Sequence, residues 1–95
     1  MSKELFKLIA DVSTIDPKKL ESVLIDIIGA DGIIRTEKGF KISKTFEGQS
    51  ARELNRGLLS NLRRVVKSTT MRSEWTHGIL TERFFDYVPK GIREA

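Results

Sequence analysis

Between Ser50 and Lys67 the apolar positions Ala51, Leu54, Leu58, Leu62 and Val65 recur at intervals of three and four, with Leu59 and Val66 beside them. At about 100° per residue these positions share one face, so the spacing predicts a helix over 50–67 with a buried stripe. Ser50 followed by Glu53 is a capping box: the Ser hydroxyl accepts from the Glu53 backbone N–H, and the carboxylate is expected to reach back to the N–H of Ser50. Arg52, Arg56, Arg63 and Lys67 fall beside the stripe, along one edge of this helix.

The same reasoning assigns the rest of the chain. Ser2 as a cap, Glu4 in a first turn, and Leu5, Phe6, Leu8 and Ile9 as buried positions predict a short helix over about 3–11. Asp16 before Pro17 is an N-cap with proline at the first helical position, where its missing N–H is not needed. The stripe Leu20, Val23, Leu24, Ile27 and Ile28 then predicts a helix over about 17–29, ended by Gly29 and Gly32. Ile33 to Phe46 reads as a hairpin with its loop at Glu37, Lys38 and Gly39, the glycine being placed for a positive φ. Within it Phe40, Ile42 and Phe46 share one parity, with Lys44 the discordant residue, and Lys41, Ser43 and Thr45 the other.

A second hairpin is expected over about 69–88. A two-residue turn at His77 and Gly78 pairs Trp75 with Leu80, Met71 with Phe84 and Arg72 with Arg83. That register puts Met71, Trp75, Leu80, Phe84 and Val88 in the core and Arg72, Arg83, Phe85 and Tyr87 on the opposite face. A turn one residue longer moves Arg83, Phe85 and Tyr87 to the side of Trp75. The elements sum to an α+β domain, 1–95: two N-terminal helices, then hairpin, helix and hairpin, ending in a tail at 89–95. The expected sheet is antiparallel, of about four strands, with the helices packed on one face.

Composition adds limits. The 95 residues suit one domain, and 39% hydrophobic with 32% charged content is that of a chain that folds. No apolar run approaches the ~18 residues of a membrane span, and the N-terminus has no signal-peptide core, so the expected location is cytoplasmic. The absence of cysteine removes disulfides, thiolate nucleophiles and thiolate metal sites. Charge is uneven: residues 1–31 carry four bases and six acids (4 − 6 = −2), whereas 32–95 carry thirteen bases and seven acids (13 − 7 = +6). A basic field of that kind attracts polyanions.

Catalytic chemistry finds little support. The single histidine, His77, reads as a turn residue beside Gly78, and no nucleophile, base and orienting group can be assembled around it. Gly29, Ala30, Asp31 and Gly32 follow a helix and precede a strand, the reverse of the order that cradles a phosphate. The segment LIDIIGADG, Leu24 to Gly32, resembles the helix-terminal motif of LAGLIDADG homing endonucleases at Leu24, Ile28, Ala30, Asp31 and Gly32. The resemblance implies Asp31 as a metal ligand, but Asp26 stands where that family needs a small residue and Gly29 replaces the first acid of the motif. The expectation is therefore a non-enzymatic domain without cofactor or metal.

Two kinds of binding remain. A nucleic-acid domain, for RNA or single-stranded DNA, would use Arg52, Arg56, Arg63 and Lys67 for phosphates and Arg72, Arg83, Phe85 and Tyr87 for bases. The alternative is a protein-interaction module or homodimer burying the exposed rings or the N-terminal apolar face.

Overall fold

The N-terminal segment is a strand, not the expected helix. In the computed structural model, which describes residues 4–86, β1 spans Glu4–Ser13. Phe6, Leu8, Ala10 and Val12 are buried, while Leu5, Lys7, Ile9 and Asp11 are exposed, a strict period of two. Leu5, Leu8, Ile9 and Val12 recur at helical spacing as well, so among the buried positions of this segment Ala10 favours the alternation and Val12 fits both patterns. Two neighbouring strands then supply hydrogen bonds along both edges of β1.

The remaining elements are α1 (Pro17–Ile27), a 3-10 turn (Ala30–Gly32), β2 (Ile33–Arg35), β3 (Gly39–Gly48), α2 (Ala51–Val65), β4 (Thr70–His77) and β5 (Leu80–Asp86). All strand pairs are antiparallel, in the order β2-β3-β1-β4-β5. Among the described residues the architecture is thus α+β with five strands and two helices, one strand more and one helix fewer than the pattern predicts. Through β4 the chain runs β-α-β-β-α-β with β1 and β3 central, the split β-α-β arrangement of ferredoxin-like domains. β5 is added outside β4.

Both helices cover one face of the sheet. α1 buries Leu20 and Leu24, with Ile28 just past its end, and α2 buries Ala51, Leu58, Leu59 and Leu62. They close over Leu8, Val12, Phe40, Ile42, Met71 and Trp75, and each large side chain so enclosed contributes about 1.5–3 kcal/mol of transfer free energy. Asp16 caps α1 by accepting from the Lys19 N–H at 3.2 Å, and Ser50 caps α2 by accepting from the Glu53 N–H at 3.2 Å. Among the described residues the return contact from the Glu53 carboxylate is not made.

Lys44, the discordant residue of β3, resolves itself at the end of α1. Its ammonium donates to the Ile27 carbonyl at 2.9 Å and lies 5.4 Å from the centre of the Phe46 ring, satisfying an orphan carbonyl where the helix dipole is negative. Gly29, at φ +97°, releases the chain from the helix as expected. Gly39 has a different role from the predicted one: its φ is not positive, and it is required because a Cβ there would collide with the Val12 carbonyl oxygen of β1.

The last hairpin turns one residue later than expected, at Gly78 and Ile79, with Gly78 at φ +63°. Its pairs are His77 with Leu80, Trp75 with Glu82, Ser73 with Phe84 and Arg72 with Phe85. Each partner is shifted by two relative to the predicted pairing. Because a slip of two preserves side-chain parity, Phe84 still faces the helices, and Arg72, Arg83 and Phe85 still face away. The predicted positions Tyr87 and Val88 and the tail at 89–95 lie outside the described residues.

Candidate functional site

The eight residues selected from the sequence do not form one surface. Arg52, Arg56 and Arg63 project from α2 on the helical side of the sheet. Arg72, Arg83 and Phe85 occupy the opposite, uncovered side. Lys67 is exposed in the turn after α2, one residue beyond Val66, and does not join the three arginines of the helix in a common groove. Tyr87 lies outside the described residues.

On the uncovered side the cations are set among groups that temper them. Arg83 Nε donates to Glu74 Oε2 at 2.9 Å across the β4-β5 ladder. The Arg72 guanidinium lies 4.9 Å from the centre of the Phe85 ring. Asp11 of the central strand stands opposite Lys41 on one side and Arg72 on the other. Ile9, Asp11, Lys41, Arg72, Arg83 and Phe85 border a depression of about 460 Å³. Phe85 is the single aromatic ring on this face among the described residues, and it sits on β5, outside β4.

The helical side is different. α2 packs on β3 and β4, so β5, the strand outside β4, extends past it and leaves a groove between the helix flank and Phe84. This groove, about 530 Å³, is lined by Arg52, Asn55, Arg56, Leu59, Ser60 and Phe84, with Arg63 and Arg64 at one end. Helical repeat explains the set: positions 52, 56, 60, 63 and 64 lie within one third of the helix circumference, flanking the buried stripe. Among the described residues Arg52, Arg56 and Arg64 make no ion pair. Glu82, on the same side of β5, is exposed and lies outside the lining. Arg63 has a structural duty, its Nε donating to the Thr69 carbonyl at 2.9 Å and so fixing the connection from α2 into β4.

Asn55, Leu59, Ser60, Arg64 and Phe84 line this groove but are absent from the set that the sequence suggests, and Arg64 and Asn55 bear most on its polar chemistry. Arg64 falls on the outer flank of the helix, and only the position of β5 makes that flank a wall. Asn55 sits within the apolar stripe and is 8% exposed. Its Oδ1 accepts from Trp75 Nε1 at 3.0 Å and from Ser73 Oγ. An indole N–H is only a donor, so the oxygen end of the amide must be the end facing Trp75. A polar residue placed four after Ala51 and four before Leu59 was the available signal, since a buried amide requires partners.

No other described cluster competes. His77 is the last residue of β4 rather than a free turn residue: its Nδ1 donates to the Leu5 carbonyl at 3.1 Å and its Nε2 lies 3.1 Å from Glu4 Oε1, tying β4 to β1. Asp31 is exposed in the 3-10 turn, and among the described residues no three His, Cys, Asp or Glu side chains group as metal ligands. No described helix is long and apolar enough to cross a membrane. The chain matches no protein-family model, no curated protein and no solved structure.

Proposed function

We propose that this domain binds single-stranded nucleic acid, RNA or DNA, along the groove between α2 and β5. Its phosphates lie on Arg52, Arg56 and Arg64, and an unstacked base lies against Phe84. The observation that carries the reading is that Arg52, Arg56 and Arg64, which make no ion pair among the described residues, surround one concavity that also presents a half-buried ring. Guanidinium groups hold phosphate oxygens through paired N–H donors, and a ring offers any base a stacking face. A single strand suits the groove better than a duplex, whose bases have no free face to offer.

The test is fluorescence anisotropy with a mixed single-stranded RNA of about 20 nucleotides, titrated at salt concentrations from about 50 to 200 mM. Three phosphate contacts predict that log K falls with log salt at a slope of about −2. Absence of binding at the lowest salt, or binding indifferent to Arg56→Glu with Arg64→Glu, would refute the proposal.

A second reading, assembly with another protein or a second copy, is favoured by one observation. β5 pairs only with β4 among the described strands, and beside its free edge Ile79 and Leu80 are 99% and 65% exposed. Sedimentation over a concentration series distinguishes it: a monomer throughout the micromolar range eliminates the homodimer.

A further inference from the structure

Asn55 gives the groove a feature that electrostatics alone does not require. The residue is 92% buried (100 − 8), and both hydrogen bonds to its amide, from Ser73 and Trp75, go to Oδ1. Its Nδ2 therefore carries two N–H donors that have no partner among the described residues, in a side chain that lines the groove. A buried amide donor left unsatisfied costs about 1–3 kcal/mol, a cost a ligand acceptor would remove.

The lining is chemically one-sided. Arg52, Arg56 and Arg64 have donors and no acceptors, the free end of Asn55 has only donors, and Ser60 alone among these side chains can also accept. The apolar surface beside them belongs to Leu59 and Phe84. A matching ligand must be anionic, rich in hydrogen-bond acceptors and partly flat and apolar. A nucleotide has all three properties in one unit: phosphate oxygens, base carbonyls and ring nitrogens, and a π-face. The volume of about 530 Å³ lies within the range of pockets that take such molecules.

We infer that the groove is a seat for one extruded nucleotide, whose base stacks on Phe84 and accepts a hydrogen bond from Asn55 Nδ2 while its phosphates meet Arg52, Arg56 and Arg64. This deepens the nucleic-acid reading and rests on it. Trp75 and Ser73 act as positioning residues: by holding Oδ1 they turn the donor end of Asn55 away from the core. A base carbonyl is accepted by this arrangement, and an exocyclic amino group in the same place is rejected, because it would meet a second donor.

The experiment is an NMR titration of the isotope-labelled full chain, following the Asn55 side-chain NH₂ resonances and the Phe84 backbone amide. The probes are a short oligouridylate, uridine 5′-monophosphate and inorganic phosphate. The oligonucleotide and the mononucleotide are expected to move both sets of resonances, whereas phosphate leaves the Asn55 pair in place. An Asn55 pair that shifts equally with phosphate alone overturns the inference, since the groove is then an anion site without a place for a base. An oligonucleotide that binds while Asn55 and Phe84 stay unmoved overturns the seat and leaves the broader reading standing. A mononucleotide that moves Asn55 although no oligonucleotide binds overturns both readings, because a groove that takes a free nucleotide and no strand is not a seat for an extruded one. Asn55→Asp, which keeps an oxygen for Ser73 and Trp75 but replaces the donor, should weaken oligouridylate binding about tenfold or more, and retained affinity in the folded variant counts against the seat.

Discussion

Two arginine-bearing surfaces lie on opposite sides of the same sheet, and they differ in what surrounds the charge. On the open face Arg83 is bonded to Glu74, Arg72 stacks over Phe85, and Asp11 stands between Lys41 and Arg72. Beside α2, Arg52, Arg56 and Arg64 meet no carboxylate among the described residues. Both surfaces are rich in arginine, but the fields they produce are not alike. A ladder brings cross-strand neighbours within ~5 Å and so lets acids balance bases pair by pair, while one flank of a helix repeats the same sign every turn. Where a cation is placed matters less to a polyanion than whether the backbone has already provided it with a counter-charge.

The strongest way to break this comparison is charge reversal on each side. Arg56→Glu with Arg64→Glu should lower affinity for single-stranded RNA by about 100-fold at low salt and flatten the salt slope by about 1.4, two phosphates at ~0.7 each. Arg72→Glu with Arg83→Glu should do much less. Equal losses from the two pairs, measured by anisotropy, would erase the distinction between the surfaces.

The next effect is on stability. Trp75→Phe removes one of two donors to Asn55 Oδ1 inside the core and should cost about 1–3 kcal/mol in urea denaturation, whereas Phe85→Ser, at a 54% exposed position, should stay within about 0.5 kcal/mol. A neutral Trp75→Phe would mean that the Asn55 network contributes no rigidity to the groove wall.

A smaller change sharpens the electrostatic argument from the other side. Glu74→Gln with Asp11→Asn leaves the open-face cations in place and removes their balance, so oligonucleotide affinity should rise a few-fold and the salt slope should steepen by about 0.7 for each further phosphate that is neutralised. Unchanged binding would show that local carboxylates are not what silences this face. Smallest of all, Arg83→Gln alone should alter stability by no more than about 1 kcal/mol, because both partners of its salt bridge are largely in solvent and the pair is screened.

Much of this can be read from residues in order, because the relevant physics is local. Ser50 before an apolar repeat and Asp16 before Pro17 start helices by capping the first N–H groups, and both do so here. Parity in β3 is equally local, since Phe40, Ile42 and Phe46 can only share a side. The faces of the last hairpin are correct although its pairing is shifted, since a slip of two cannot turn a strand over. The first strand is the opposite case: over Leu5 to Ile9 the helical and extended patterns both fit, and the choice falls to strands more than thirty residues away that pair with it on either side.

The candidate site divides along the same line. Helical repeat alone places Arg52, Arg56 and Arg63 on one edge, and it requires no partner. That Arg63 is bound to the Thr69 carbonyl, that Arg64 joins the groove and that Asn55 turns a donor into it depend on where β4 and β5 lie against α2. Caps, periodicity and parity are set by interactions within a few residues and are therefore written in the chain. The position of β5 beyond α2, which makes the groove, follows from strand order; that order depends on which distant edges bury the most apolar surface together, and the competition is decided only in the folded molecule.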